Sequence, residues 1–244
     1  QPAPAADDLV LRVSLTGGDE ALCCGYTGLG SVQEGLQAGM RLIVPLSAAG
    51  IILAPARDGL LVEEGSTERY AFKEEWIQRC LENGIDQPIC TPSGGANRFE
   101  TAYLEYDTLE YDTRPTTTAH LRLVFVKPDD SDEYRCRYPN IIFVELPTRT
   151  DTSPEGAKSP EYAKVGDARF WIKVFMLRLL TDARGPHGTE ASRKFFERYA
   201  MIDDDNKRFY DESTGEPVPL KEVLRTLSDF LKKHSGRAPG IVGL

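Results

Sequence analysis

Three stretches of this chain bring together residue types that chemistry uses. GLGSVQ, Gly28 to Gln33, begins like the glycine turn of a dinucleotide-binding loop, where small residues let a pyrophosphate approach a helix N-terminus. Gln33 stands where the third glycine is required, and no Gly-Lys-Ser/Thr follows for a phosphate loop, so these glycines read as turn residues. DDDNKRFYDEST, from Asp203, opens like a calcium loop. Lys207, Arg208 and Thr214 then fill the fifth, sixth and twelfth positions, where a ligand, the turn glycine and the bidentate glutamate belong. The acidic run therefore reads as a solvated turn. In TAYLEYDTLEYDT the alternation of an unbroken strand puts Glu105 and Asp107 on one face and Glu110 and Asp112 on the other, so the four carboxylates do not converge on a cation.

The remaining reactive groups are scattered. His120, His187 and His234 lack the spacing and the cysteine pair of a zinc site. Cys23, Cys24, Cys80, Cys90 and Cys136 are odd in number, so at least one lies outside any intrachain disulfide. Cys80 falls on an expected helix and reads as a small buried hydrophobe, while Cys23 and Cys24 either bridge or point to opposite faces of a strand. No Gly-x-Ser-x-Gly elbow occurs, and a triad built in space on His120 or His187 is invisible to motif reading. No catalytic, cofactor-binding or metal-binding residue is assigned, and the reading leans away from an enzyme.

The elements that would position any site follow from periodicity. Residues 8–72 read as β, with LVLRVSL at 9–15, MRLIVPL at 40–46, GIILAP at 50–55 and GLLVEEG as its segments. KEEWIQRCLENG reads as a helix, because Trp76 and Cys80, like Ile77 and Leu81, are four apart and Asn83-Gly84 supplies a stop. TPSGGANR at 91–98 reads as a loop. AHLRLVFV (119–126) and NIIFVEL (140–146) are strands joined by the turn-rich KPDDSDEYRCRYP, and the spacing predicts an antiparallel pair, with the second strand buried on both faces.

TRTDTSPEGAKSPEY has a linker's composition, which divides the chain into a β-rich α+β domain at 1–147, a linker at 148–158 and a helical segment at 159–244. Within that segment Ser159-Pro160-Glu161 signals a helix start, FWIKVFMLRLL at 170–180 is apolar on most sides, and Gly185-Pro186 ends the helix. A short helix at Thr189–Tyr199 is followed by a hairpin in MIDDDNKRFYDESTGEPV, turning at Asp-Asn-Lys. Leu220, Val223, Leu224, Leu227 and Leu231 then mark an amphipathic closing helix. The fold class is α+β, mostly antiparallel sheet followed by helices.

A net charge of −9 works against nucleic-acid binding, since affinity for a polyanion comes largely from lysine and arginine displacing counterions. The apolar stretch Leu42–Ala56 carries Pro45 and Pro55 and is too short to span a bilayer. Gln1 in place of methionine, before PAPAADD, reads as the remnant of a removed targeting peptide or tag, which favours an organelle or an extracytoplasmic compartment. The apolar surface of 170–180, with Trp171 and Phe175, together with Phe195, Phe196 and Tyr199, marks candidate contacts with other protein subunits. On these grounds the chain is expected to be a non-enzymatic accessory or structural subunit of a larger assembly, acting through protein–protein contacts.

One family resemblance supplies the alternative. LGSVQEGLQAGMRLIVP (29–45) and PNIIFVEL (139–146) are similar, in that order, to segments of FKBP-type peptidyl-prolyl isomerases. The resemblance implies a half-barrel of antiparallel strands around a helix at Ser31–Gln37. The aromatic floor of that family's proline pocket would fall near Leu36, which is not aromatic, so the resemblance implies a peptidyl-prolyl isomerase or a catalytically dead derivative acting as a chaperone or scaffold.

Overall fold

The structure is a computed structural model that describes residues 9–13, 40–45, 48, 53–56, 61–63, 69–98, 120–139, 141–147, 165–206 and 208–233. Its strands are β1 (Leu9–Val13), β2 (Met40–Val44), β3 (Leu53–Ala56), β4 (Leu61–Glu63), β5 (Arg69–Phe72), β6 (Ile89–Pro92), β7 (Arg122–Val126), β8 (Phe143–Glu145), β9 (Ala200–Met201), β10 (Phe209–Tyr210) and β11 (Pro217–Val218). Its helices are α1 (Glu74–Glu82), α2 (Ser131–Arg137), α3 (Val165–Arg184), α4 (Glu190–Phe196) and α5 (Leu220–Lys233). The class is α+β, as expected.

Nine strands form one sheet in the order β3-β5-β4-β1-β2-β8-β7-β6-β9. From β3 to β8 every neighbouring pair is antiparallel, whereas β8, β7, β6 and β9 run parallel. The predicted antiparallel pairing of the strands at 119–126 and 140–146 is thus corrected to a parallel one. The chain between them is no tight turn but carries α2, which returns it to the starting edge as a crossover requires.

The parallel strands β6 and β7, and the apolar residues of β8, are buried on both faces. Leu123, Phe125, Ile142 and Val144 join one core with Trp76, Ile77 and Cys80 of α1, Ile172, Phe175 and Met176 of α3, and Phe195 and Phe196 of α4. Their alternates Val124, Val126, Ile141 and Phe143 join the other with Tyr134 and Tyr138 beside α2 and Leu220 and Leu224 of α5. Two-residue alternation therefore supplies both layers, which is why these segments read as continuous apolar runs.

The many-sided apolarity of α3 has its explanation here, because Phe175 meets Phe125 edge to face at 5.6 Å between centroids while α4 packs on another side. Phe175, Phe195 and Phe196 are core residues; Trp171 and Tyr199 are partly buried and packed against the same core. The sheet and α4 thus cover part of the apolar surface of α3. α4 starts from a reciprocal cap in which Thr189 Oγ1 accepts from the Ser192 N–H and Ser192 Oγ accepts from the Thr189 N–H.

Two further expectations change. The hairpin placed around Asp-Asn-Lys lies later, as β10 paired with β11, because Ala200–Met201 is drawn into the main sheet beside β6. TPSGGANR is a loop only at Ser93, Gly94 and Gly95, since Thr91 and Pro92 continue β6 and residues 96–98 are helical. The LEYDT repeat, Cys23 and Cys24, the helix at Ser31–Gln37, the linker at 148–158 and the start at Ser159 lie outside the described residues. Among the described residues no helix is long and apolar enough to cross a membrane.

The thiols follow the burial pattern. Cys80 and Cys90 are buried and Cys136 is exposed, each as a thiol. Burial pushes Cys80 up to about 12, despite Arg79, and raises Cys90 further still, so both stay protonated and unreactive at neutral pH. Peptide mapping after brief iodoacetamide treatment of the native chain at pH 8 is expected to find Cys136 modified and Cys80 and Cys90 intact. Equal modification of all three would contradict this burial.

Candidate functional site

The strand order reverses at β6. β6, β7 and β8 succeed one another toward one side, and α3 and α4 then carry the chain back to set β9 on the other side of β6. Where connections from two adjacent parallel strands lead away in opposite directions, a crevice opens beyond their carboxyl ends, and ligands of such sheets bind there. The segments leaving β6 and β9 at this point are Ser93-Gly94-Gly95-Ala96-Asn97-Arg98 and Ile202-Asp203-Asp204-Asp205.

Backbone ties hold the two segments in place, with the Ser93 N–H bonded to Phe125 O and the Ile202 N–H to Cys90 O, both at 3.0 Å. Asp204, only 2% exposed, then turns inward. Its Oδ2 accepts the Gly94 N–H at 2.6 Å and the Ser93 hydroxyl at 3.1 Å, and its Oδ1 lies 3.4 Å from Arg98 Nη2. Asp205 pairs with the same Arg98 nitrogen at 2.6 Å. Asp203 faces α3, where Arg169 Nη2 reaches both of its oxygens at 2.8 and 3.1 Å. The edge thus presents two half-exposed guanidinium groups and two partly exposed carboxylates, organised about one buried carboxylate.

The loop sequence has local reasons. Arg98 lies across Gly94, where an added Cβ would stand 2.9 Å from Nη1. Gly95 has φ of +140°, a region that L side chains rarely adopt. Tyr138, at the end of α2, donates to Ala96 O at 2.7 Å, and Arg137 donates to the Asn97 side chain.

Charges at this edge are mixed. Among the described residues no three or more His, Cys, Asp and Glu side chains are grouped to hold a metal ion. The acidic run is spent on arginines and on the loop backbone. Each arginine uses a single nitrogen, Nη2, on these carboxylates, which leaves further N–H donors on a group well suited to phosphate oxygens.

The three stretches singled out in the sequence fare differently. Gly28 to Gln33 lies outside the described residues, and the glycines that shape the crevice are Gly94 and Gly95, in a stretch that reads as plain loop. The aspartates set aside as an imperfect calcium loop are central, because α4 and β9 precede them and β10 follows them in an arrangement unrelated to a calcium-binding helix pair. Ser-Gly-Gly directly after one strand and three aspartates shortly after another were the available signals; what joins them is 110 residues of separation closed by the sheet.

His120 lies elsewhere, at the amino end of β7 on the opposite edge, 5% exposed and with no hydrogen-bond partner for either ring nitrogen among the described residues. Burial pushes it from its ordinary 6.5 down to about 4, Lys221 and Arg122 add to the effect, and Asp86 opposes it. The folded-state value lies below the unfolded one, so the stabilisation from a neutral His120 is complete above pH 6.5 and is lost as pH falls toward 4, by about 3 kcal/mol at most. Urea midpoints measured from pH 7 to 4.5 should fall less steeply for His120→Gln than for the unaltered chain; parallel profiles would contradict this.

The parallel part of the sheet thus has a reversal of strand order, and its carboxyl edge carries two arginines, a glycine turn and three aspartates. The family model of the TET-associated glycosyltransferases matches residues 88–241, more than half of the chain, and the chain belongs to that family. Comparisons with curated proteins and with solved structures gave no match. The matched span opens at β6 and contains both segments of the crevice.

Family membership overturns the expectation of a non-enzymatic accessory subunit and of a complex component, and it equally overturns the FKBP resemblance. PNIIFVEL lies inside the matched span, and its β8 is a central strand parallel to β7, not the last strand of an antiparallel half-barrel. Its likeness came from an apolar pattern that any doubly buried strand shares.

Proposed function

We propose that this chain transfers a glycosyl group from a nucleoside diphosphate sugar to an acceptor hydroxyl, with the donor's diphosphate at the carboxyl edge between β6 and β9. What carries the reading is that the family match spans the strand-order reversal and both segments that form its crevice. In the transfer a bond forms between the acceptor oxygen and the anomeric carbon, the bond from that carbon to the phosphate oxygen breaks, and the diphosphate leaves with the electron pair. Arg98 and Arg169 are placed to meet the charge that develops on the diphosphate. Asp203 and Asp205 are the accessible carboxylates for hydrogen-bonding sugar or ribose hydroxyls or for receiving the acceptor's proton.

The test is a screen of the full chain against common nucleoside diphosphate sugars, reading release of the nucleoside diphosphate. One donor is expected to turn over, and Arg98→Ala to lower kcat/KM for it by about a hundredfold, the usual cost of removing an electrostatic stabiliser of developing charge. Absence of turnover with every donor, or full activity of Arg98→Ala, would contradict the proposal.

A further inference from the structure

The crevice is fixed from one side by a residue that does not line it. Tyr134 of α2 is fully buried, its ring packed between Tyr138 and Phe143 at centroid distances of 5.7 and 6.1 Å. Its hydroxyl is bonded to Ser93 Oγ. Ser93 Oγ also bonds Asp204 Oδ2 at 3.1 Å and accepts the Gly95 N–H at 3.1 Å.

Donor and acceptor counting orders this network. A carboxylate only accepts, and Asp204 Oδ2 at 3.1 Å is nearer to Ser93 Oγ than the other acceptor, Gly95 O at 3.4 Å, so the Ser93 proton goes to Asp204; both lone pairs of Ser93 are then acceptors, one for Gly95 N–H and one for the Tyr134 hydroxyl. Burial raises the Tyr134 phenol above its ordinary range, which keeps it a neutral donor. Ser93 is thereby saturated, with one bond donated and two accepted. Asp204 in turn lies between Asp203 and Asp205, which engage Arg169 and Arg98. The two arginines and the glycine turn are therefore referenced, through Ser93 and Asp204, to a hydroxyl on α2.

We infer that Tyr134 is a positioning residue for glycosyl transfer, acting through Ser93 on Asp204 and so on the arrangement of Arg98 and Arg169; this rests on the reading that the crevice is the transfer site. Tyr134→Phe keeps the ring and its packing and removes the oxygen alone. Ser93→Ala removes the intermediate of the relay.

The experiment is a double-mutant cycle on kcat/KM for the donor found in the screen, with thermal unfolding of each variant in parallel. Tyr134→Phe is expected to lower kcat/KM about tenfold, near the worth of one hydrogen bond in a charged network. In the Ser93→Ala background the same change should have almost no further effect, because its route to Asp204 is already cut. Hydrogen exchange at the Gly94 and Gly95 amides should quicken in Tyr134→Phe while α2 stays protected. Equal effects of Tyr134→Phe in both backgrounds, or unchanged kinetics in a folded variant, overturn the relay and leave the transfer reading standing. Absence of turnover in the unaltered chain overturns the transfer reading, and the positioning role with it.

Discussion

Asp204→Asn is expected to reduce glycosyl transfer at least about a hundredfold, the effect of displacing reacting groups by roughly an ångström. The side chain is nearly isosteric, but its amide cannot reproduce the carboxylate. Oδ2 of Asp204 receives two donors, the Gly94 N–H and the Ser93 hydroxyl, while Oδ1 faces Arg98. An asparagine offers one oxygen to the loop or to the arginine, and its NH2 then meets a donor on the other side. The loop after β6 must move, or Arg98 must turn wholly to Asp205. Either shift displaces a guanidinium on which the departing diphosphate depends. Steady-state kinetics with a thermal melt of the same preparation check this: a folded variant with near-native kcat/KM would remove Asp204 from the centre of the site. A loss of about 1–3 kcal/mol in stability accompanies it, because a buried network loses its acceptor.

Phe195→Ala is expected to lower stability by about 3–5 kcal/mol, a large share of the roughly 5–15 kcal/mol typical of a domain. Phe195 is fully buried, edge-on to Trp76 at 5.9 Å and to Phe196 at 5.2 Å, where α4 meets α1. Truncation opens a cavity bounded by rigid rings that have little room to collapse. Tyr210→Ala, at a ring 60% exposed on β10, should stay within about 0.5 kcal/mol and serves as the comparison. Equilibrium urea denaturation decides between the two sites. A Phe195 variant as stable as the Tyr210 variant would mean that α4 is not seated against α1.

Much of the architecture was legible because it is written locally. Trp76 and Cys80 mark the buried stripe of α1, and Asn83 with Gly84, at φ of +73°, closes it as the pattern indicates. Thr189 caps α4, and the leucines from Leu220 onward define α5. Strand direction was not legible, because a strand buried on both faces shows the same apolar run in either orientation. Tyr134 and Tyr138, four apart within SDEYRCRY, were the signal that the connection between β7 and β8 is a helix. β6 was hidden by its brevity and by Pro92.

The site was the least legible part. Ser93 and Asp204 have no local pattern in common, and each stretch alone resembles an ordinary turn. Only pairing of β6 with β7 on one side and β9 on the other brings them together. The glycines near residue 30 stand out in the sequence because they cluster, whereas Gly94 and Gly95 are distinguished by the passage of Arg98 across the first and the φ of the second.

The central claim is the location of the donor, and hydrogen exchange of the full chain with and without the nucleoside diphosphate of the donor it turns over tests that claim directly. Protection is expected in 93–98 and 202–206, with the segments around Asp86 and His120 at the opposite edge unchanged. Protection at that opposite edge, with 93–98 and 202–206 unaffected, would contradict it.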